Sequence, residues 1–130
     1  MSAMPKILIV DDEPENVELL CRRLSRRSFA VVGANSAETA LRLAIEEKPD
    51  LILMDVKMPV VDGFEATRRL KAEDATRTIP VIVLTAHAMQ EDRERAMAAG
   101  ADAYESKPVD LERLLGVIAQ LIPGQNRTER

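Results

Sequence analysis

Three short aliphatic runs constrain this chain more than anything else in it: KILIV (Lys6 to Val10), LILM (Leu51 to Met54) and VIVL (Val81 to Leu84). Each is of strand length and apolar on both faces, so each needs cover on two sides of a sheet. AVVGA (Ala30 to Ala34) and AYES (Ala103 to Ser106) read as two further strands. The segments between them keep helical spacing. One carries Val17, Leu20, Cys21 and Leu24 on a single face, and the next follows a Ser36 N-cap with Ala37, Ala40, Leu41 and Ala44 inward. A short helix is expected from about Phe64 to Lys71 and a polar one from roughly Met89 to Ala99, closed by Gly100. Asp110 caps the last, which turns Leu111, Leu114, Leu115, Ile118, Leu121 and Ile122 inward and stops at Pro123-Gly124.

Five β-α units in sequence, with right-handed crossovers, leave few topologies. The expected fold is α/β: a doubly wound, five-stranded parallel sheet of flavodoxin type, strand order 2-1-3-4-5. The domain should span residues 6–122, after an N-terminal extension (1–5) and before a polar tail (123–130) that is either a plain terminus or the start of a linker. At 130 residues the chain suits one domain with one core, without disulfides.

With one Tyr, two Phe and no Trp, that core must be aliphatic, and no aromatic platform exists for stacking single-stranded bases. A net charge of −4 and pI near 5.1 argue against nucleic acid as a direct partner. The basic clusters at Cys21–Arg27 and Thr67–Lys71 fall at helix C-termini, where cations complement the dipole, and read as solvated faces. The lone cysteine, Cys21, sits on an apolar stripe and reads as a small buried hydrophobe. No segment has the apolar length of a membrane span and MSAMPK has no signal core, so a cytoplasmic location without membrane insertion is expected.

In a sheet of this kind the β-to-α loops open at the carboxyl edge, where ligands bind. Strand one ends in Asp11-Asp12, strand three in Asp55, strand four in Thr85 and strand five in Lys107. Crowded carboxylates repel unless one protonates or a cation intervenes. Oxygen ligands alone favour a hard ion such as Mg²⁺, while one His and one Cys are too few for structural zinc. Lys107 offers a point charge for phosphate and Thr85 a hydroxyl donor. An Asp carboxylate can attack phosphorus, and Asp55 stands alone on its strand while Asp11 and Asp12 can hold metal. Any one of these acids could merely start a loop or cap a helix. Together at one edge they point to phosphoryl chemistry.

The motifs DDE (Asp11 to Glu13), DVKMPVVDG (Asp55 to Gly63), LTA (Leu84 to Ala86), GADAY (Gly100 to Tyr104) and SKP (Ser106 to Pro108) resemble the receiver domain of bacterial two-component response regulators, the chemotaxis-regulator-like fold. The resemblance runs from about Lys6 to Ile122. It implies that Asp55 is the phosphoacceptor for a histidine kinase or histidine phosphotransfer protein. It implies Mg²⁺ held by Asp12 and Asp55, by Asp11 through water, and by the Lys57 backbone carbonyl. Thr85 and Lys107 would be the switch hydroxyl and the phosphate-binding lysine, Tyr104 the switch aromatic, and Lys107-Pro108 a cis bond. Lys57 and His87 occupy positions that vary in the family, and their bulk is expected to slow self-dephosphorylation. The downstream partner would dock on the face of the fourth helix, fifth strand and fifth helix, and a dimer formed on phosphorylation is also allowed.

The leading expectation is thus a stand-alone phosphorylation switch rather than an enzyme with turnover. A receiver fragment of a multidomain regulator or hybrid kinase is the alternative. An aspartate-nucleophile phosphatase would carry a second Asp where Lys57 stands, and a dinucleotide-binding domain would need a Gly-rich loop after the first strand.

Overall fold

Side chains leave a strand alternately to either side, so all-apolar strands inside a sheet feed two cores, one on each face, and not the single core expected from chain length. The computed structural model, which describes residues 4–86 and 90–122, is built this way. In chain order its elements are β1 (Lys6–Val10), α1 (Pro14–Ser25), β2 (Ala30–Ala34), α2 (Ala37–Glu47), β3 (Leu51–Asp55), α3 (Gly63–Ala72), β4 (Val81–Thr85), α4 (Gln90–Ala98), β5 (Ala103–Ser106) and α5 (Leu111–Leu121). The strands pair in parallel in the order β2-β1-β3-β4-β5, the doubly wound flavodoxin-like arrangement expected from the sequence.

Leu8, Val10, Ile52, Met54, Val81 and Val83 face one core, completed by Ala40 and Ala44 of α2 and Phe64, Ala66 and Leu70 of α3. Ile7, Ile9, Leu51, Leu53, Ile82 and Leu84 face the other, with Leu20 and Leu24 of α1 and Leu114 and Ile118 of α5. Cys21 is half-buried against this second core, and burial together with the Glu18 charge pushes its thiol pKa up, as suits an unreactive hydrophobe.

Both β3 and β4 run one residue beyond their apolar runs and take Asp55 and Thr85 into the sheet. The ladder does not depend on side-chain polarity: Val56 N–H donates to the Leu84 carbonyl at 3.1 Å, and Lys107 N–H to that of Thr85 at 2.7 Å. The polar residues at the strand ends are therefore held by main chain. Helix starts are fixed by short acceptors. Ser36 accepts from Thr39 N–H at 3.2 Å, Asp62 from Glu65 N–H at 2.9 Å and Asp110 from Arg113 N–H at 3.1 Å.

The loop after β3 contains a rarer feature. Val61 N–H donates to the Pro59 carbonyl at 2.8 Å, closing a three-residue turn with Val60 at φ 70°. This is the less common and more strained form of γ-turn, here with a β-branched residue that is wholly exposed. Val60→Asn should raise stability by up to about 1 kcal/mol, because Asn tolerates positive φ and no apolar burial is lost. Urea unfolding checks it, and a lower midpoint would mean the Val60 side chain contributes a contact of its own.

Candidate functional site

Among the described residues five polar or charged side chains are buried, and three of them, Asp11, Asp55 and Thr85, lie at the carboxyl edge. The other two, Thr67 and Thr76, spend their hydroxyls on the Gly63 and Leu70 carbonyls, which accounts for them structurally. Asp55 ends the central strand, between Asp11 after β1 and Thr85 at the end of β4. Lys107 comes over from the β5 side. Its ammonium donates to Asp55 Oδ1 at 2.5 Å and lies 3.6 Å from Asp11 Oδ2. The Lys107-Pro108 bond that follows is cis, as the resemblance implied.

Carboxylate oxygens of Asp11, Asp12 and Asp55 all lie within 4.8 Å of one another. Burial raises the Asp55 pKa above the ordinary aspartate value. Lys107 opposes that shift, and the Asp11 and Asp12 charges reinforce it. Burial pulls the Lys107 ammonium down, but its bond to Asp55 and the charges of Asp55 and Asp11 outweigh this and leave its pKa raised. One lysine thus under-compensates three carboxylates. A small hard cation fits the deficit, since the donor set is oxygen alone and no imidazole or thiolate joins the cluster among the described residues.

A cleft of about 210 Å³ opens beside Asp55, lined by Val56, Lys57, Phe64, Thr85, Asp92 and Arg95 with Lys107. The residues expected from the sequence are thereby brought together: Asp11, Asp12 and Asp55 in the carboxylate cluster, Lys107 paired to it, Thr85 in the adjoining cleft and Lys57 exposed at its rim. Tyr104 is half-buried on β5, its ring under the Arg93 guanidinium at 5.4 Å. His87 lies outside the described residues.

Sequence reasoning missed Asp92 and Arg95. Asp92 Oδ2 accepts from the Thr85 hydroxyl at 3.4 Å. Arg95 sits 4.4 Å above the Phe64 ring and 4.0 Å from Asp62 Oδ2. The available signal was α4 itself, QEDRERAMA, whose only buried residue is Ala96.

With this geometry in place, comparison with known proteins is decisive. The family profile described as "Response regulator receiver domain" matches residues 7–119. The chain belongs to the response regulator receiver family. The receiver is 41% identical over 116 residues to the polar-differentiation response regulator DivK of Brucella anthropi, covering 88% of this chain and 94% of that protein. It is 40% identical over 121 residues to protein PilH of Pseudomonas aeruginosa, covering 93% of this chain and 100% of that one. Among solved structures, the receiver domain of the sensor histidine kinase PA1611 from Pseudomonas aeruginosa matches with a TM-score of 0.84 and 36% identity, over 92% of this chain and 98% of that one. That structure holds a magnesium ion coordinated in its active site cleft. Receivers work as phosphoacceptor switches between histidine kinases and downstream effectors. No described helix is long and apolar enough to cross a membrane.

Proposed function

We propose that Asp55 accepts a phosphoryl group from a phosphohistidine of a histidine kinase or phosphotransfer protein, and that this switches partner binding. The observation that carries the reading is the burial of Asp55 beside Asp11 and Asp12, with Lys107 on one of its oxygens. A carboxylate oxygen of Asp55 forms the new bond to phosphorus while the phosphorus–imidazole bond breaks, and its electron pair leaves on the histidine nitrogen. Lys107 and Thr85 line the same cleft, and on this reading they neutralise and bind the transferred oxygens. Asp12 and Asp55, with Asp11 and the Lys57 carbonyl, would hold Mg²⁺, which supplies positive charge against the phosphoryl oxygens. Tyr104 on β5 follows Thr85, and the output face is that of α4, β5 and α5. The receiver unit is taken as residues 6–122.

A single-domain regulator fits the near-complete coverage of DivK and PilH. The likeness to the PA1611 receiver favours, as a second reading, a receiver belonging to a larger kinase. Detection of a longer native chain would decide between them.

The test is incubation with acetyl phosphate and Mg²⁺ followed by intact mass and peptide mapping. One phosphoryl group on Asp55, abolished by a chelator, is expected; no gain, or gain elsewhere, overturns the proposal. After donor removal the same sample times phosphoryl loss. Lys57 lines the rim of the cleft, and if its side chain obstructs attacking water as this reading holds, Lys57→Asn should lose the group several-fold faster. Unchanged or slower decay would remove Lys57 from that role.

A further inference from the structure

Helix α4 is attached differently from its neighbours. It buries only Ala96, and the side-chain ties described for it are polar or cation–π: Asp92 to Thr85 and Arg95 to Phe64 in the cleft, Arg95 to Asp62 and Arg93 to Tyr104 outside it. Of these, the Asp92 contact bears on chemistry. Its carboxylate is half-buried, lines the same cleft as Asp55 and Lys107, and receives the Thr85 hydroxyl at 3.4 Å.

A hydroxyl has one proton to donate. If Thr85 is to donate to a phosphoryl oxygen on Asp55, it must release Asp92. The released carboxylate then shares a cleft of about 210 Å³ with a group carrying close to two negative charges. Both effects raise the energy of the phosphorylated arrangement relative to the free one.

We propose that Asp92 is a positioning residue that opposes phosphorylation, holding the Thr85 hydroxyl in the free state and repelling the phosphoryl group once Thr85 turns. This rests on the phosphoacceptor role given to Asp55. The repulsion acts on the helix that carries Asp92, so the same residue converts charge on Asp55 into displacement of α4. A side chain with no part in the switch would leave the affinity of the site for a phosphoryl mimic unchanged.

Beryllofluoride with Mg²⁺ is the probe, a tetrahedral mimic that adds to a carboxylate without transfer chemistry. Its affinity is measured by titration in wild type, Asp92→Asn and Asp92→Ala, each also in a Thr85→Ala background. Asp92→Asn keeps shape and an acceptor but removes the charge, and should bind roughly tenfold tighter at low salt, the gain shrinking as ionic strength rises. Asp92→Ala should bind tighter still by roughly threefold, since the Thr85 hydroxyl no longer has to leave the Asp92 carboxylate. That last increment should vanish with Thr85→Ala, whereas the charge effect should persist.

A thermal melt without beryllofluoride reports whether each variant remains folded, and the isosteric Asn carries the conclusion if Ala does not. Wild-type binding with equal or weaker affinity in Asp92→Asn overturns the role of Asp92 and leaves that of Asp55 standing. Failure of the wild type itself to bind overturns both.

Discussion

Asp55→Asn should take up no phosphoryl group from acetyl phosphate and Mg²⁺ and, without divalent cation, should unfold at a higher temperature than the wild type. The first effect follows from loss of the nucleophilic oxygen. The second follows from the site's own electrostatics. Burial and the adjacent Asp11 and Asp12 charges raise the Asp55 pKa in spite of Lys107, so its negative charge is a net strain on the fold. Asn removes that charge in nearly the same volume, and Lys107 keeps Asp11 3.6 Å away. The expected gain is on the order of 1 kcal/mol, or a rise of about 3 to 6 °C in midpoint for a domain of this size.

The pH dependence fixes the cause. An acid whose folded-state pKa lies above its unfolded value favours folding as it protonates. The strain from Asp55 is therefore absent at low pH, grows as pH rises from the ordinary aspartate range through the raised folded value, and is complete above it. The stability difference between Asp55→Asn and wild type should close on acidification. A difference that stays constant with pH would assign the gain to packing instead. Lys107 contributes with the opposite sense: its raised pKa stabilises below the ordinary lysine value and is lost as pH climbs through the folded one.

Gly63→Ala should be the most damaging of the glycine-to-alanine changes among the described residues. A Cβ at Gly63 would stand 2.1 Å from the Asp55 carbonyl oxygen, 2.8 Å from its carbon and 2.9 Å from Val56 Cα. All three are main-chain atoms at the end of the central strand, held from the far side by the β4 ladder. Relief therefore has to come from displacing α3 or the strand end, at a cost of about 3 kcal/mol or more. Because the displaced residue is Asp55 itself, phosphoryl uptake should fall by at least roughly tenfold even where the protein remains folded. Urea unfolding and the acetyl phosphate assay measure the two effects. Near-wild-type values in both would mean the loop yields without moving Asp55.

Legibility from the sequence followed periodicity. Leu51 to Met54 could be read as a two-faced strand because every residue in it serves one core or the other, and four strand ends then named Asp11, Asp12, Asp55, Thr85 and Lys107 without coordinates. The N-caps at Ser36 and Asp110 were legible for a similar reason, since their acceptors act within three residues. Asp92 and Arg95 were not. They reach the cleft from a helix with no apolar stripe, so no local pattern states which side faces the body. Val60 was hidden differently: nothing in MPVVDG announces positive φ at a valine, which the chain on either side imposes.

The scarcity of aromatic residues has an optical consequence. Tyr104 is the only tyrosine and there is no tryptophan, so tyrosine emission from this protein arises at a single ring. That ring sits on β5 beneath the Arg93 guanidinium of α4. A shift of α4 relative to β5 changes what lies against the fluorophore, which makes the unlabelled chain a spectroscopic reporter of its own switching.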